Sequence, residues 1–117
     1  MKMGTRNNIA EDRKNAGHGD IFFAHYILPS GELRKSPVFV IGNDKDHMDI
    51  IIIGCTSQDA RTNFDVEIQL KEKTLVRTNK IYTIGRDNLL FKIKDPLPTE
   101  KYNTILQKVK KALKLES

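Results

Sequence analysis

The chain has 117 residues, 38% of them hydrophobic and 30% charged, a size that holds one apolar core and excludes division into two. Its net charge of +5 and isoelectric point near 9.4 favour an anionic partner, either nucleic acid or an acidic protein segment. One cysteine, Cys55, excludes an internal disulfide, the absence of cysteine partners or a tight histidine cluster excludes a zinc-type ligand set, and the longest uncharged apolar run, Ile50 to Ile53, is far short of a membrane span.

The early charges, from Arg6 to Lys14, are followed by no apolar stretch of the secretory kind, so the expectation is a cytoplasmic protein. Residues 1–18 are polar, with only Ile9, Ala10 and Ala16 to bury, and read as a flexible basic arm ahead of a single domain over 19–117. Asp20 to Leu28 is aromatic and β-branched, Pro29-Ser30-Gly31 turns, and Ser36 to Ile41 resumes, which predicts a hairpin. Gly42 to Asp49 is a turn before Asp49 to Thr56, whose continuous apolar run predicts a central strand buried on both faces. Phe64, Val66, Ile68 and Leu70 alternate with Asp65, Glu67 and Gln69, the period of a strand with one wet face. Leu75 to Asn79, Ile81 to Ile84 and Leu89 to Ile93 continue the β pattern until Pro96 and Pro98 break it. Thr99 then predicts a cap for a helix with an apolar stripe of Tyr102, Ile105, Leu106, Val109, Ala112 and Leu113, its lysines forming the wet face. The fold class is mainly β: a small, strongly bent antiparallel barrel with a C-terminal α-helix over it.

Two strand ends concentrate polar groups. One begins at Arg34-Lys35-Ser36-Pro37; the other runs from four isoleucines through Cys55 into Thr56, Ser57 and Gln58. Cations here suit phosphate, and the hydroxyls and amide suit hydrogen bonding to a bound ligand. Cys55 reads as a small packed residue, and Phe64 and Tyr82 as core.

The ordered blocks Gly19-Asp20-Ile21, Ser36 to Ile41 with Asn43-Asp44, Cys55 to Gln58, Val76 to Asn79 and Ile81 to Ile84 resemble the MazF/PemK toxins, the ribonuclease halves of bacterial toxin–antitoxin pairs. The resemblance spans roughly Gly19 to Leu115 and implies an SH3-like barrel, a homodimer, inhibition by an acidic antitoxin, and cleavage of single-stranded RNA with neither metal nor cofactor. On the same footing Thr56 stands at the family's active-site hydroxyl and Arg77 at an arginine that some members use for catalysis. Asn79 stands where those members carry an aspartate base, and His25 is a candidate replacement for it. Where the family places an arginine before the strand proline this chain has Ser36, with Lys35 and Arg34 one and two residues further back as sources of charge. Ser36, Ser57, Gln58, Asn79, Arg61 and His25 complete the candidate RNA-binding set. Such cleavage needs a proton acceptor for the 2′-hydroxyl, stabilisation of a charged phosphorane and an acid for the leaving 5′-oxygen. The alternative is a weakly catalytic or inactive barrel that acts by binding protein, as gyrase-poisoning toxins of similar fold do.

Overall fold

The computed structural model describes residues 4–59 and 62–115. Six antiparallel strands form one sheet: β1 (Ile21–Ile27), β2 (Leu33–Gly42), β3 (Asp49–Thr56), β4 (Asp65–Gln69), β5 (Lys73–Gly85) and β6 (Leu89–Ile93). Their order is β4-β5-β3-β2-β1-β6, so the expected barrel is an open sheet whose edges, β4 and β6, are not bridged to each other among the described residues. Two helices flank it, α1 (Gly4–Lys14) and α2 (Thr99–Ala112).

The β1–β2 hairpin turns through Gly31, whose φ of +92° is open to glycine without strain. Strand β3 lies centrally between β2 and β5 and is apolar on both faces, as its unbroken isoleucine run predicts. Ile50 and Ile52 pack with Phe22, Tyr26, Val38 and Val40 on one face. Ile53 and Cys55 pack on the other with Phe39, Val66, Val76 and the fully buried Ile105 of α2. The apolar stripe of α2 therefore covers the second face, with Tyr102 and Val109 joining Ile105. Thr99 does not cap this helix: Pro98 holds the N-cap position, and no side chain supplies a cap hydrogen bond. A proline at that site has the extended backbone a cap needs, at ψ 143°, but no oxygen on its side chain.

The segment read as a loose arm carries α1, which packs against β6. Polar composition hid it because much of its docking is through hydrogen bonds. Arg13 Nε donates to the Leu89 carbonyl, and the buried Arg86 donates to the carbonyls of Arg13 and Ala16.

The two strands expected over 75–79 and 81–84 are one strand, β5, interrupted by a bulge. Ile53 pairs with Ile81, yet Cys55 pairs with Val76, so β5 holds three more residues than β3 across this step. An odd insertion reverses the face on which the following side chains project. Both Arg77 and Lys80 consequently stand on the face of Gly54, although they are three residues apart.

Candidate functional site

The bulge and the end of the first hairpin meet over Gly54. There a cleft of about 210 Å³ is lined by Tyr26, Leu28, Arg34, Gly54, Cys55, Arg77, Lys80 and Tyr82. Three cations and two tyrosines, drawn from β1, β2 and β5, thus converge on one hollow over β3.

Each cation is held differently. Arg34 lies opposite Tyr26 in the β1–β2 ladder, and its Nη2 donates to the Cys55 carbonyl at 2.8 Å. Arg77 lies opposite Asp65 in the β4–β5 ladder, and its Nε reaches Asp65 Oδ1 at 3.4 Å. The Asp65 side chain is wholly covered, whereas that of Arg77 remains 21% exposed, so the carboxylate anchors the guanidinium from beneath. Lys80 is exposed at the lip.

The floor is close-packed. The Tyr26 hydroxyl and Ser36 Oγ are 2.9 Å apart, and Ser36 Oγ donates to the Pro37 carbonyl at 3.0 Å. A Cβ on residue 54 would stand 3.0 Å from the Tyr26 oxygen and 3.4 Å from Tyr82 Cε2, so glycine there lets the two rings close over the strand. The tyrosine rings lie 5.4 Å apart, tilted at 43°. Burial raises the Tyr26 phenol above its ordinary range, against the opposing pull of the Ser36 hydrogen bond and the Arg34 charge. Burial likewise pushes the Cys55 thiol up to about 12, which keeps it protonated and unreactive at neutral pH.

No protein-family model matches the sequence, and no curated protein does. Solved structures do. A mycobacterial endoribonuclease in complex with its cognate antitoxin superposes at a TM-score of 0.69 with 19% identity, over 86% of this chain and 97% of that one. The Mycobacterium tuberculosis toxin MazF-mt6 gives 0.67 at 15% identity, over 84% and 99%. MazF from Deinococcus radiodurans gives 0.66 at 13%, over 84% and 96%. The chain has the MazF fold.

Within this MazF fold, the residues singled out from the sequence divide. Arg34 and Arg77 join the cleft. Thr56, two residues from Gly54 and so on the same strand face, is half-buried and outside the cleft lining, with its hydroxyl accepting from Gln58 N at 3.2 Å. Ser36 does not face the ligand space: it is 4% exposed and lies under Tyr26. Lys35 and His25 pair across the β1–β2 ladder but project from the opposite face to Arg34, so they do not reach the cleft. Ser57, Gln58 and Asn79 are exposed and outside the cleft lining, and Arg61 lies outside the described residues. Among the described residues no cluster of three metal-ligating side chains occurs, and no helix is long and apolar enough to cross a membrane.

Sequence reading missed Lys80, Tyr26, Tyr82 and Asp65. Alternation placed Lys80 opposite in face to Arg77, and only the bulge reverses that. Asp65 looked like one of three wet-face residues, yet it is the one opposite an arginine. The available signal for Tyr26 was its position eight residues before Arg34 across a short turn, which makes the two ladder partners.

Proposed function

We propose that this chain is a toxin-type endoribonuclease that cleaves single-stranded RNA without a metal, in the cleft formed by Arg34, Arg77 and Lys80. The observation that carries the reading is the convergence of those three cations over Gly54, at the end of the strand that carries Thr56, on a MazF fold. In the reaction the 2′-hydroxyl attacks the adjacent phosphorus, the bond to the 5′-oxygen breaks, and the products are a 2′,3′-cyclic phosphate and a 5′-hydroxyl. One proton leaves the 2′-oxygen and one reaches the 5′-oxygen. Charge accumulates on the non-bridging oxygens between these events, and prearranged guanidinium groups stabilise it there without reorganising. Arg34 and Arg77 supply that charge, Lys80 draws the RNA backbone to the lip, and the Thr56 hydroxyl, which accepts from Gln58 N and keeps its own proton, donates to a phosphate oxygen. The tyrosine rings offer a wall on which a flanking base stacks.

The protein-binding alternative rests on the serine at position 36. Arg34, two residues earlier on the same strand face, brings a guanidinium to that side of the sheet, and this favours catalysis. The same reading carries the remaining roles: a homodimer in the cytoplasm, held inactive by an acidic antitoxin that neutralises the cationic cleft. The test is incubation of the purified protein with single-stranded RNA in chelator, followed by analysis of fragment ends. Fragments ending in 2′,3′-cyclic phosphate are expected. No cleavage by the wild type at high enzyme concentration would refute the nuclease.

A further inference from the structure

The position that lacks the expected arginine still has a part in the site. Ser36 is buried and donates its one hydroxyl proton to the Pro37 carbonyl at 3.0 Å. With the Ser36 proton on the Pro37 carbonyl, the tyrosine is the donor in the 2.9 Å contact between the two hydroxyls, either of which could donate there. That fixes the Tyr26 hydroxyl hydrogen toward Ser36 and turns the phenol oxygen's lone pairs away from it. The group beside the phenol is the Arg34 guanidinium, the ladder partner of Tyr26 on the same sheet face and with it part of the cleft lining. Arg34 is also tied at Nη2 to the Cys55 carbonyl. A guanidinium on a three-methylene stem that is tied at one nitrogen and flanked by a fixed ring has little rotamer freedom left.

We propose that Tyr26, oriented by Ser36, is the positioning residue that holds Arg34 at the phosphate, so that a serine–tyrosine pair and an arginine two residues upstream do the work of one arginine at position 36. The inference rests on the nuclease reading for its kinetic test but has an independent one. The glycine at position 54 belongs to the same device, since any Cβ there would crowd the Tyr26 oxygen at 3.0 Å.

The experiment is a double-mutant cycle between Tyr26→Phe, which deletes one oxygen and keeps the ring, and Arg34→Ala. On a single-stranded RNA substrate, Tyr26→Phe is expected to lower kcat about tenfold while KM stays within about twofold, because orientation matters most in the transition state. Combined with Arg34→Ala it is expected to cost nothing further. Ser36→Ala, which frees the phenol hydrogen, is expected to show a smaller loss with the same dependence on Arg34. Additive losses, or wild-type kcat in Tyr26→Phe, would overturn the proposal. Thermal melts confirm that each variant is folded, and if Tyr26→Phe is not, Ser36→Ala carries the cycle. Titration with inorganic phosphate, followed at the arginine Nε–H resonances, separates this inference from the nuclease itself. Weaker phosphate binding in Tyr26→Phe only when Arg34 is present supports positioning even in a protein that cuts no RNA, and equal weakening with and without Arg34 refutes it.

Discussion

Replacing Arg86 by methionine removes one of the groups that join α1 to the body of the protein. Arg86 is 4% exposed, and its five guanidinium hydrogens meet five backbone carbonyls: Asp46 at 2.6 Å, Arg13 at 3.0 Å, Ala16 at 2.9 Å, Asn43 at 3.0 Å and Asp44 at 3.2 Å. The Arg13 carbonyl lies in the last turn of α1, where the helix dipole is negative, the Ala16 carbonyl lies two residues beyond the helix, and three belong to the turn between β2 and β3. A hydrogen bond to a charged donor contributes about 1.5–3 kcal/mol when both groups are dry. Only the bond to Ala16 is fully buried, and water can reach the other four carbonyls once the side chain is gone. A simple sum over five bonds therefore overstates the loss, and about 3–5 kcal/mol is the expected cost. Against a total stability of about 5–15 kcal/mol this is a large fraction. At roughly 3–5 °C per kcal/mol for a chain of this length, the melting temperature should fall by roughly 10–25 °C. Circular dichroism melts measure it, and amide exchange should show α1 opening before the sheet. Arg86→Lys, with three donors on a mobile ammonium, should recover only part of the loss. A methionine variant melting within about 3 °C of wild type, with α1 amides still protected, would refute the account.

The other predictions concern the cleft. Arg34→Ala should lower kcat by about 10²–10³, the usual result of removing one prearranged donor to a developing oxyanion, as read in cleavage of a fluorescent RNA oligonucleotide. Arg77→Ala should lose activity to a similar degree and also melt earlier, because it takes away the cation opposite the covered Asp65 carboxylate; Lys35→Ala, on the other face, should change kcat little. Lys80→Ala should weaken RNA binding without abolishing cleavage, and reduce the slope of log affinity against log salt by about 0.7, since one phosphate fewer is neutralised. Cys55 gives a pH signature. Its thiol is raised from 9.0 to about 12 in the folded protein, so its contribution is fully present below pH 9. Between pH 9 and about 12 the unfolded chain sheds a proton that the folded chain keeps, and stability should fall by at most about 1.4 kcal/mol per pH unit. Denaturant unfolding at several alkaline pH values, with Cys55→Ala lacking this part of the slope, checks the sign.

The parts of the fold that obey a single period were legible. The alternation from Phe64 to Leu70, the apolar run of β3 and the stripe of α2 each announce which side is buried; β3 and β4 follow their period, and α2 follows it through Tyr102, Ile105 and Val109 but leaves Leu113 at its end 50% exposed. What the sequence hid are the places where polar backbone groups or a change of parity decide the outcome. Helix α1 has few apolar residues, and its docking depends on Arg86, some seventy positions away in the chain. No local pattern reports a buried arginine whose partners are all main-chain carbonyls.

The cleft shows the same effect at closer range. Strict alternation along β2 puts Arg34 and Ser36 together and separates Lys35, which is enough to choose between the two upstream cations once the direction of one strand face is known. Along β5 alternation fails, because three additional residues between Val76 and Ile81 turn the strand over. Without that bulge Lys80 and Arg77 would face opposite sides and the hollow would hold two cations. Shortening the bulge by one residue should therefore do more harm than any single side-chain truncation within it. The loss reverses the face of every residue on one side of the deletion, so either Arg77 leaves Asp65 or Tyr82 leaves Tyr26. A deletion of Asn79 that retained both activity and melting temperature would show that register is not what gathers the site.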